Sequence, residues 1–412
     1  MVYTITPPKQ ISGRPVKLPA SKSISNRALV LNVLSGGKHT VDNLSDSDDT
    51  NVMMNAFSLE NEAINIGAAG TAMRFLTAYL AQKEGTHTIT GSERMKMRPI
   101  KILVEALRYL GAEIEYAGKE GFPPLKITGH RLKGGKITVA GNISSQYISA
   151  LMMIAPKMLN GLEIKIDGRI VSRPYIDMTA ELMRKFGVEI QQQGNVLFIP
   201  KCEYAPVTFR VESDWSAASY FYEIAALARQ NGVKIPLDGL TKNSLQGDAR
   251  VAELFNRLGI ETEFTATGIE LQNVAQYRAP EYFHHDFTDT PDLAQTLAVT
   301  ACMSEIKFCF NGLQSLRIKE TDRIVALGEE LKKLGYVVEI SDDGLQWKGE
   351  KCEPYQKPVI STYEDHRMAM AFAPACLKLG SIGIADPEVV SKSYPGFWES
   401  LSEAGFEIKK NV

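Results

Sequence analysis

A recurring pattern of hydrophobic and polar positions runs through the chain. Five segments carry apolar residues at i, i+3, i+4 and i+7, the spacing that gathers them on one face of a helix. Each segment ends at a glycine suited to a left-handed helix C-terminus, and a strand-like alternation follows. These glycines are Gly111, Gly187, Gly259, Gly335 and Gly405. Because consecutive glycines lie 70 to 76 residues apart, the pattern predicts a repeated α/β supersecondary unit.

A sixth, weaker copy of the helix covers residues 48–59 and lacks the glycine. Six units would divide as three plus three, and the polar residues 211–214 near the middle of the chain suit a crossover between two domains. A length of 412 residues agrees with two to three domains. Alternating or β-branched runs predict strands between the helices, at residues 86–90, 125–127, 136–139, 162–166, 196–199 and 207–211.

Composition excludes several classes of protein. The formal net charge of -2 gives no reason to expect nucleic acid or an acidic membrane as a partner. No run of eighteen apolar residues predicts a transmembrane helix, and the N-terminus lacks the apolar core of a signal peptide. The five cysteines form no CxxC pair, which favours reduced thiols in the cytoplasm. His284, His285 and Asp286 are consecutive, so their side chains point apart and a metal site is disfavoured.

The stretch from Leu18 to Leu29 concentrates chemistry at a predicted helix start. Lys22, Ser23 and Arg27 lie there, and Ser23 and Arg27 are one helical turn apart. Cations and unpaired backbone N–H groups would point the same way, which suits a phosphate. The alternative is a capped amphipathic helix with a solvated basic start, and this stretch alone does not decide between them.

Basic residues recur at predicted helix starts elsewhere. Residues 317–323 carry five charges before a helix, and His366, Arg367 and Lys392 repeat the arrangement. A surface charge run is the usual interpretation of such stretches. However, the helix dipole favours acids at these positions unless an anion binds. The recurrence therefore favours a polyanionic ligand held between two domains.

Other polar stretches allow a binding role or a structural one. Residues 66–74 form a small-residue turn into a helix, which alone suggests a structural helix start. Arg94, Lys96 and Arg98 alternate, so an extended segment would place them on one side, with Pro99 opening the next helix. Asp292 suits a helix N-cap. Helix starts with hydroxyl, amide or phenol groups include Ser144, Ser145, Gln146, Ser172 and Tyr175.

Taken together, these motifs resemble the 5-enolpyruvylshikimate-3-phosphate synthase family. They lie in the family's order over almost the whole chain, and they are LPASKSISNRA, GAAGTAMR, RMKMRP, SSQYISAL, SRPYID, VESDWSAASY, QGD, LRIKETDR, EDHRMAMA and KSYPGF. The resemblance implies a two-domain inside-out α/β barrel, with three βαβαββ units in each domain. One domain would be residues 20–211. Residues 1–19 and 212–412 would form the other, with the active site in the cleft between them.

The resemblance also implies the reaction. The enolpyruvyl group of phosphoenolpyruvate would pass to the 5-hydroxyl of shikimate 3-phosphate through a tetrahedral intermediate, with release of phosphate. No metal or organic cofactor is implied, and we expect a cytoplasmic monomer. The family's pattern gives catalytic roles to Lys22, Asp292 and Glu320. Asp292 would be the base for the hydroxyl, and Glu320 would deliver and remove the methyl proton. Lys22 would be a cation that contacts both substrates.

Two sets of binding residues follow from the same pattern. Those matching the shikimate 3-phosphate side are Lys22, Ser23, Arg27, Ser144, Ser145, Gln146, Ser172, Tyr175, Asp292, Ser315 and Lys319. Those matching the phosphoenolpyruvate side are Lys22, Gly70, Arg98, Gln146, Arg323, His366, Arg367 and Lys392. The family commonly has asparagine where this chain has Ser315.

Three alternatives come from other families or classes. The sister family that acts on UDP-N-acetylglucosamine shares the fold but usually has a cysteine in the loop at residues 94–99, and no cysteine precedes Cys202 here. A non-catalytic anion-binding scaffold would lack Lys22, Asp292 or Glu320, and all three are present. A nucleotide-binding α/β enzyme is disfavoured because neither glycine-rich nucleotide signature occurs.

Overall fold

The chain folds into two compact units, as a computed structural model shows. It describes residues 1–37, 39–58, 63–142, 144–228 and 233–411. One unit, called here the continuous unit, is Ser21–Val211. The other, the split unit, combines Met1–Ala20 with Glu212–Val412. Within the described ranges, no helix is long and apolar enough to cross a membrane.

Helices alternate with strands along both units. The α-helices are α1 Lys22–Leu34, α2 Asp48–Ser58, α3 Gly70–Leu80, α4 Glu93–Lys96, α5 Lys101–Tyr109, α6 Ser145–Ile154, α7 Arg173–Lys185, α8 Trp215–Ala228, α9 Val251–Asn256, α10 Ala294–Met303, α11 Arg323–Lys333, α12 His366–Phe372, α13 Cys376–Leu379 and α14 Phe397–Glu403. Short 3-10 helices cover Pro291–Leu293, Gln314–Ile318 and Pro387–Lys392, among others.

The strands are short. They are β1 Val2–Thr6, β2 Val16–Lys17, β3 Val41–Asp42, β4 Ile64–Asn65, β5 Gly85–Thr90, β6 Glu113–Tyr116, β7 Leu125–Gly129, β8 Gly135–Ala140, β9 Leu162–Asp167, β10 Gln191–Gln193, β11 Val196–Ile199, β12 Phe209–Arg210, β13 Lys234–Asp238, β14 Ile260–Phe264, β15 Gly268–Asn273, β16 Tyr282–Asp286, β17 Lys307–Asn311, β18 Glu339–Ile340, β19 Leu345–Trp347, β20 Val359–Ile360, β21 Ile382–Ala385 and β22 Glu407–Asn411.

The four-stranded sheets share one plan. In the continuous unit their orders are β4-β5-β7-β6 and β10-β11-β9-β8, beside a two-stranded β12-β3 pair. In the split unit they are β14-β15-β13-β2, β16-β17-β19-β18 and β20-β21-β1-β22. Each four-stranded sheet has one parallel and two antiparallel pairings. The N-terminal strand β1 pairs with β21 and β22, so the start of the chain completes its last repeat.

The predicted helix–glycine–strand repeat is confirmed. Helices α5, α7, α9, α11 and α14 are each followed by the predicted glycine, and all five glycines have a positive φ between 79° and 104°. Because an L side chain disfavours this conformation, glycine is the residue that lets the chain turn from helix to strand there. Five of the six predicted strands are present, whereas the prediction for residues 207–211 is too long, since only Phe209–Arg210 forms a strand.

The core of the split unit surrounds helix α8. Trp215 and all side chains from Ala217 through Leu227 are buried, with α10 and α12 contributing to the same apolar cluster. One carboxyl group, that of Glu223, lies inside this core with no exposed area. Neither of its oxygens has a hydrogen-bond partner among the described residues. Burial therefore raises the pKa of Glu223 well above its ordinary value.

Replacing Glu223 by methionine is expected to stabilise the protein, because methionine has similar size and no group to desolvate. The folded protein keeps a proton on Glu223 that the unfolded chain releases above about pH 4.5. The contribution of Glu223 to wild-type stability thus falls as pH rises above about 4.5, whereas methionine does not titrate. We expect urea unfolding to show a gain on the order of 1–3 kcal/mol at pH 8 and a smaller one at pH 4. An equal or larger gain at pH 4 would contradict this account.

Candidate active site

Acidic and basic side chains form a buried cluster in the split unit. Asp292 lies in the 3-10 turn Pro291–Leu293, ahead of α10. Glu320 lies in the loop that leads to α11, Arg367 in the first turn of α12, and Lys392 at the end of Pro387–Lys392. We call the following residues the carboxylate–cation cluster: Asp292, Glu320, Arg323, Asp365, Arg367 and Lys392.

Arg323 is the centre of this cluster. Its Nε lies 2.6 Å from Oδ2 of Asp365, Nη1 lies 3.0 Å from Oδ1 of Asp292, and Nη2 lies 3.0 Å from Oε2 of Glu320. Burial disfavours its charge, but Asp365, Glu320 and Asp292 outweigh burial and raise the pKa of Arg323. One guanidinium therefore holds three carboxylates in fixed directions, which a lysine could not do.

Each of the two candidate acid–base groups lies between two cations. Oδ1 of Asp292 pairs with Arg323, and Oδ2 of Asp292 lies 3.1 Å from Nη2 of Arg367. Oε2 of Glu320 pairs with Arg323, and Oε1 of Glu320 lies 2.8 Å from Nζ of Lys392. Such neighbours favour ionised carboxylates, the form that can accept a proton. They also place these two carboxylates among the three cations of the cluster.

Among the charged residues 317–323, some stabilise the loop and others belong to the carboxylate–cation cluster. Asp322 caps α11, because its side chain accepts the N–H groups of Ile324 and Val325, each at 3.2 Å. Arg317 donates to Asp322 at 2.8 Å and to two backbone carbonyls at residues 341 and 342. These contacts fix the loop, and Glu320 and Arg323 carry the interactions of the cluster. The surface interpretation is thus wrong for Glu320 and Arg323.

The remaining predicted residues of the split unit lie on the same elements. Ser315 belongs to the 3-10 helix Gln314–Ile318, and its hydroxyl is buried without a hydrogen-bond partner in the described part of the chain. Lys319 follows that helix and precedes Glu320. His366 is 2 % exposed, and its Nδ1 lies 3.8 Å from Oδ1 of Asp365.

In the continuous unit, Arg98 lies against the N-terminus of α3. A Cβ placed on Gly70, the first residue of α3, would lie 2.8 Å from both Nη atoms of Arg98. Glycine is therefore what allows the guanidinium to approach the helix start. A cation there opposes the helix dipole unless an anion binds between them.

The backbone around Arg98 differs from the prediction. Residues Glu93–Lys96 form the short helix α4, so Arg94, Lys96 and Arg98 do not alternate along an extended segment. Pro99 also precedes the next helix, which begins at Lys101. The reason is local: Ser92 caps α4 by accepting the N–H of Met95 at 3.3 Å.

Two side chains hold the carbonyl that follows Arg98. Nη2 of Arg74 donates to the oxygen of Pro99 at 3.2 Å, and the hydroxyl of Tyr147 donates to the same oxygen at 2.6 Å. Arg74 also donates to the oxygen of Gly70 at 3.1 Å, so it ties the start of α3 to the Arg98 segment. Sequence reasoning assigned no role to Arg74 or Tyr147.

Helix α1 begins at Lys22, within the stretch where a helix start was predicted. Its N-cap is Ser21, whose buried hydroxyl makes no cap hydrogen bond. Lys22 Nζ lies 3.5 Å from Oδ2 of Asp49, and Ser23 occupies the second helical position. Arg27 is 2 % exposed, and burial lowers the pKa of Arg27 to about 10.

The guanidinium of Arg27 is tied to neighbouring helices. Its Nε donates to the Thr179 hydroxyl at 2.7 Å, and its Nη2 donates to the Ser149 hydroxyl at 3.2 Å. Its Nη1 donates to the backbone carbonyl oxygen of Ser23 at 2.9 Å. The Tyr175 ring lies beside it, 5.8 Å from centroid to Cζ. These contacts link α1, α6 and α7, which carry the other predicted residues of this unit.

Those residues lie at helix starts, as predicted. Ser144 is the N-cap of α6 and accepts the N–H of Gln146 at 3.3 Å, and Ser145 is the first residue of α6. Nε2 of Gln146 donates to the Thr71 hydroxyl on α3 at 3.2 Å. Ser172 precedes α7 with φ 57°, and Tyr175 lies in the first turn of α7.

Comparisons with known proteins agree over the full length. The profile of the family described as EPSP synthase (3-phosphoshikimate 1-carboxyvinyltransferase) matches residues 5–61 and 55–401. A 3-phosphoshikimate 1-carboxyvinyltransferase from Bacteroides fragilis (strain YCH46) is 56 % identical over 412 residues, covering 99 % of each chain. The chain belongs to the EPSP synthase family. A further 3-phosphoshikimate 1-carboxyvinyltransferase, from Pasteurella multocida, is 39 % identical and covers 97 % of this chain and 96 % of its own.

Solved structures confirm the predicted fold class. An EPSP synthase from Acinetobacter baumannii superposes with a TM-score of 0.77 at 22 % identity, covering 99 % of this chain and 100 % of that one. An enolpyruvyl transferase from Streptomyces tendae gives 0.74 at 15 % identity, covering 99 % and 98 %. This is the inside-out α/β fold of the EPSP synthases, and it agrees with the repeated sheet plan described above.

Sequence reasoning missed two acids in this chain. Asp365 caps α12 by accepting the N–H of Arg367 at 2.9 Å and also anchors Arg323; its place just before a helix start was a usable signal. Asp248 is buried, and the Ser216 hydroxyl donates to its Oδ2. Burial and the charge of Asp292 raise the pKa of Asp248 to about 7. Only the tertiary structure reveals that proximity.

Replacing Gly70 by alanine is expected to impair substrate binding while leaving the fold intact. The added methyl group would meet the far end of the Arg98 side chain, so Arg98 must move away from the start of α3. We expect KM for phosphoenolpyruvate to rise about tenfold or more, with Tm within about 2 °C of wild type. A matched control is Gly13→Ala, where the nearest atom would be 3.7 Å away. An unchanged KM in Gly70→Ala would contradict the assignment of Arg98 to phosphoenolpyruvate that the family resemblance implies.

Proposed function

We propose that this chain transfers the enolpyruvyl group of phosphoenolpyruvate to the 5-hydroxyl of shikimate 3-phosphate and releases phosphate. The observation that carries the proposal is the carboxylate–cation cluster, in which Asp292 and Glu320 each lie between two cations. The reaction needs two proton-transfer groups next to several positive charges, because protons move while a phosphorylated trianion reacts.

The proposed chemistry assigns one proton to each carboxylate. Asp292 accepts the proton of the 5-hydroxyl as its oxygen attacks C2 of phosphoenolpyruvate. Glu320, having taken up a proton from solvent, delivers it to C3, which gives the tetrahedral intermediate. In the second half, phosphate leaves from C2 and takes up, through solvent, the proton that Asp292 gives back. Glu320 removes a methyl proton, which restores the double bond in the product. Lys22 contacts both substrates and stabilises negative charge.

The cations supply binding for the anionic groups. Arg98 binds phosphoenolpyruvate together with Gly70, Gln146, Arg323, Arg367, His366 and Lys392. Since Arg323, Arg367 and Lys392 already hold carboxylates, an incoming phosphate or carboxylate replaces part of those ion pairs. The groups assigned to shikimate 3-phosphate, with Lys22, Gln146 and Asp292, are Ser23, Arg27, Ser144, Ser145, Ser172, Tyr175, Ser315 and Lys319.

The setting of the activity is also part of the proposal. The chemistry above uses only side chains and substrates, so the proposed enzyme takes no metal or organic cofactor. We propose that it acts in the cytoplasm as a monomer, with small-molecule substrates and no nucleic acid or membrane as a partner. Sedimentation at micromolar concentration tests the oligomeric state, and a dimer mass would overturn the monomer.

Phosphate release tests the activity and separates it from the sister reaction. The purified protein is mixed with phosphoenolpyruvate and either shikimate 3-phosphate or UDP-N-acetylglucosamine. We expect release only with shikimate 3-phosphate, with one enolpyruvyl ether formed for each phosphate released. Turnover with UDP-N-acetylglucosamine would favour the sister reaction, and no turnover with either acceptor would favour a non-catalytic scaffold.

A further inference from the structure

The turn that leads into the cluster has an unusual backbone. Tyr363 and Glu364 have φ of 54° and 56° and are the sole adjacent pair of non-glycine residues with positive φ in the described parts of the chain. L side chains disfavour this left-handed region, and such residues persist only where surrounding contacts hold them. Something in the split unit must therefore hold this turn.

The residues directly after the turn belong to the carboxylate–cation cluster. The backbone N–H of Asp365 donates to the backbone carbonyl oxygen of Thr362 at 2.9 Å, and this hydrogen bond closes the turn. Asp365 is buried, binds Arg323 through both oxygens and caps the helix that presents Arg367. A change in the backbone at residues 363–364 would therefore move both an anchor of Arg323 and the start of α12.

A second buried acid holds the turn from the other side. Glu330, on α11, has no exposed area. Its Oε1 accepts the hydroxyl of Tyr363 at 2.7 Å, and its Oε2 accepts the N–H of Ser361 at 3.1 Å. Lys333, one turn later, lies 2.7 Å from the same Oε2 and donates to the oxygen of Val359 at 3.1 Å.

Helix α11 thus contacts the segment 359–365 at both of its ends. Arg323 in its first turn holds Asp365, and Glu330, about 10 Å further along the helix axis, holds Ser361 and Tyr363. We propose that Glu330 and Tyr363 are positioning residues, which hold the left-handed turn so that Asp365 and Arg367 keep their places in the cluster. The effect on catalysis rests on the proposed function.

The chain contains a matched control for this arrangement. The Tyr336 hydroxyl donates to Oε1 of Glu305 at 2.8 Å, and Nζ of Lys351 lies 2.7 Å from Oε2 of the same residue. Glu305 also has a positive φ, of 58°. This second tyrosine–glutamate–lysine group therefore repeats the tyrosine and lysine contacts, and none of these contacts joins it to a described residue of the cluster. Tyr336→Phe removes the same hydroxyl as Tyr363→Phe.

The experiment compares steady-state kinetics and thermal unfolding of Tyr363→Phe, Glu330→Gln and Tyr336→Phe. Tyr363→Phe and Glu330→Gln are expected to lower kcat about tenfold and to raise KM for phosphoenolpyruvate, since small displacements in a preorganised site have large effects on rate. Tyr336→Phe is expected to lower Tm with kcat and KM unchanged. The proposal is overturned if Tyr363→Phe and Tyr336→Phe lower Tm equally and neither changes kcat or KM.

A glycine substitution tests the backbone argument directly. Glu364→Gly removes the steric cost of a positive φ, so the turn then depends less on its anchor. We expect Tyr363→Phe to lower kcat by about threefold or less in the Glu364→Gly background, against about tenfold in wild type. An undiminished loss would overturn the role of strain.

If Asp292→Asn and Glu320→Gln kept full activity, the proposed function itself would fail. If they lost activity while Tyr363→Phe did not, only the positioning role would fail.

Discussion

Asp292→Asn is expected to lower kcat about a thousandfold or more, because the amide cannot accept the proton of the 5-hydroxyl. Binding should respond differently. The substitution removes one negative charge from between Arg323 and Arg367, which lie 3.0 and 3.1 Å from its two oxygens. Affinity for anionic substrates should therefore be kept or increased. Phosphate release gives kcat, and calorimetry gives the affinity for shikimate 3-phosphate.

Asp289→Asn is the matched control for this variant. Asp289 precedes the same turn and pairs with Arg250 at 3.2 Å on the surface, outside the cluster. We expect wild-type kinetics from it, since exposed ion pairs contribute little. If Asp292→Asn released phosphate at a rate near that of wild type, Asp292 could not be the base.

Arg323→Ala is expected to damage both stability and activity. It would leave Asp365, which has no exposed area, without its charged partner and would also free Asp292 and Glu320 from their shared cation. Breaking a buried ion pair by removing one partner typically costs about 3–5 kcal/mol. Chemical denaturation should show a loss of that order, and kcat/KM should fall by about a thousandfold or more.

Two further variants separate charge from geometry at this position. Arg323→Lys keeps the positive charge but cannot direct donors to three carboxylates, so we expect more stability than in Arg323→Ala with activity still low. Adding Asp365→Asn to Arg323→Ala should recover part of the lost stability by removing the uncompensated charge. As a control, Arg250→Ala should cost less than about 1 kcal/mol. Equal losses for Arg250→Ala and Arg323→Ala would contradict the central place of Arg323.

Local patterns predicted the repeat correctly because local physics determines it. An amphipathic helix must end, and glycine is the residue that adopts the left-handed turn at its end. Gly335 and Gly405, with φ of 95° and 104°, show this directly. Chain order alone could not show that β1 pairs with β21 and β22, because that pairing joins the two ends of the sequence.

Predictions for the site were less complete where two local signals compete. The alternation of Arg94, Lys96 and Arg98 suggested an extended segment. Instead, Ser92 caps a helix, and residues 93–96 are helical. Asp248 shows a different limit. Its buried carboxyl lies near Asp292 only in the tertiary structure, since the two are 44 positions apart in the chain. Periodicity and capping carry no information about such pairs.

The most direct test of the account follows the proton that Glu320 is proposed to carry. Wild-type protein, phosphoenolpyruvate and shikimate 3-phosphate are incubated in deuterium oxide, and the deuterium at C3 of recovered phosphoenolpyruvate and of the product is measured by mass spectrometry. The account predicts deuterium in both from wild type and, from Glu320→Gln, incorporation reduced about a thousandfold. Incorporation by Glu320→Gln at the wild-type rate would contradict it.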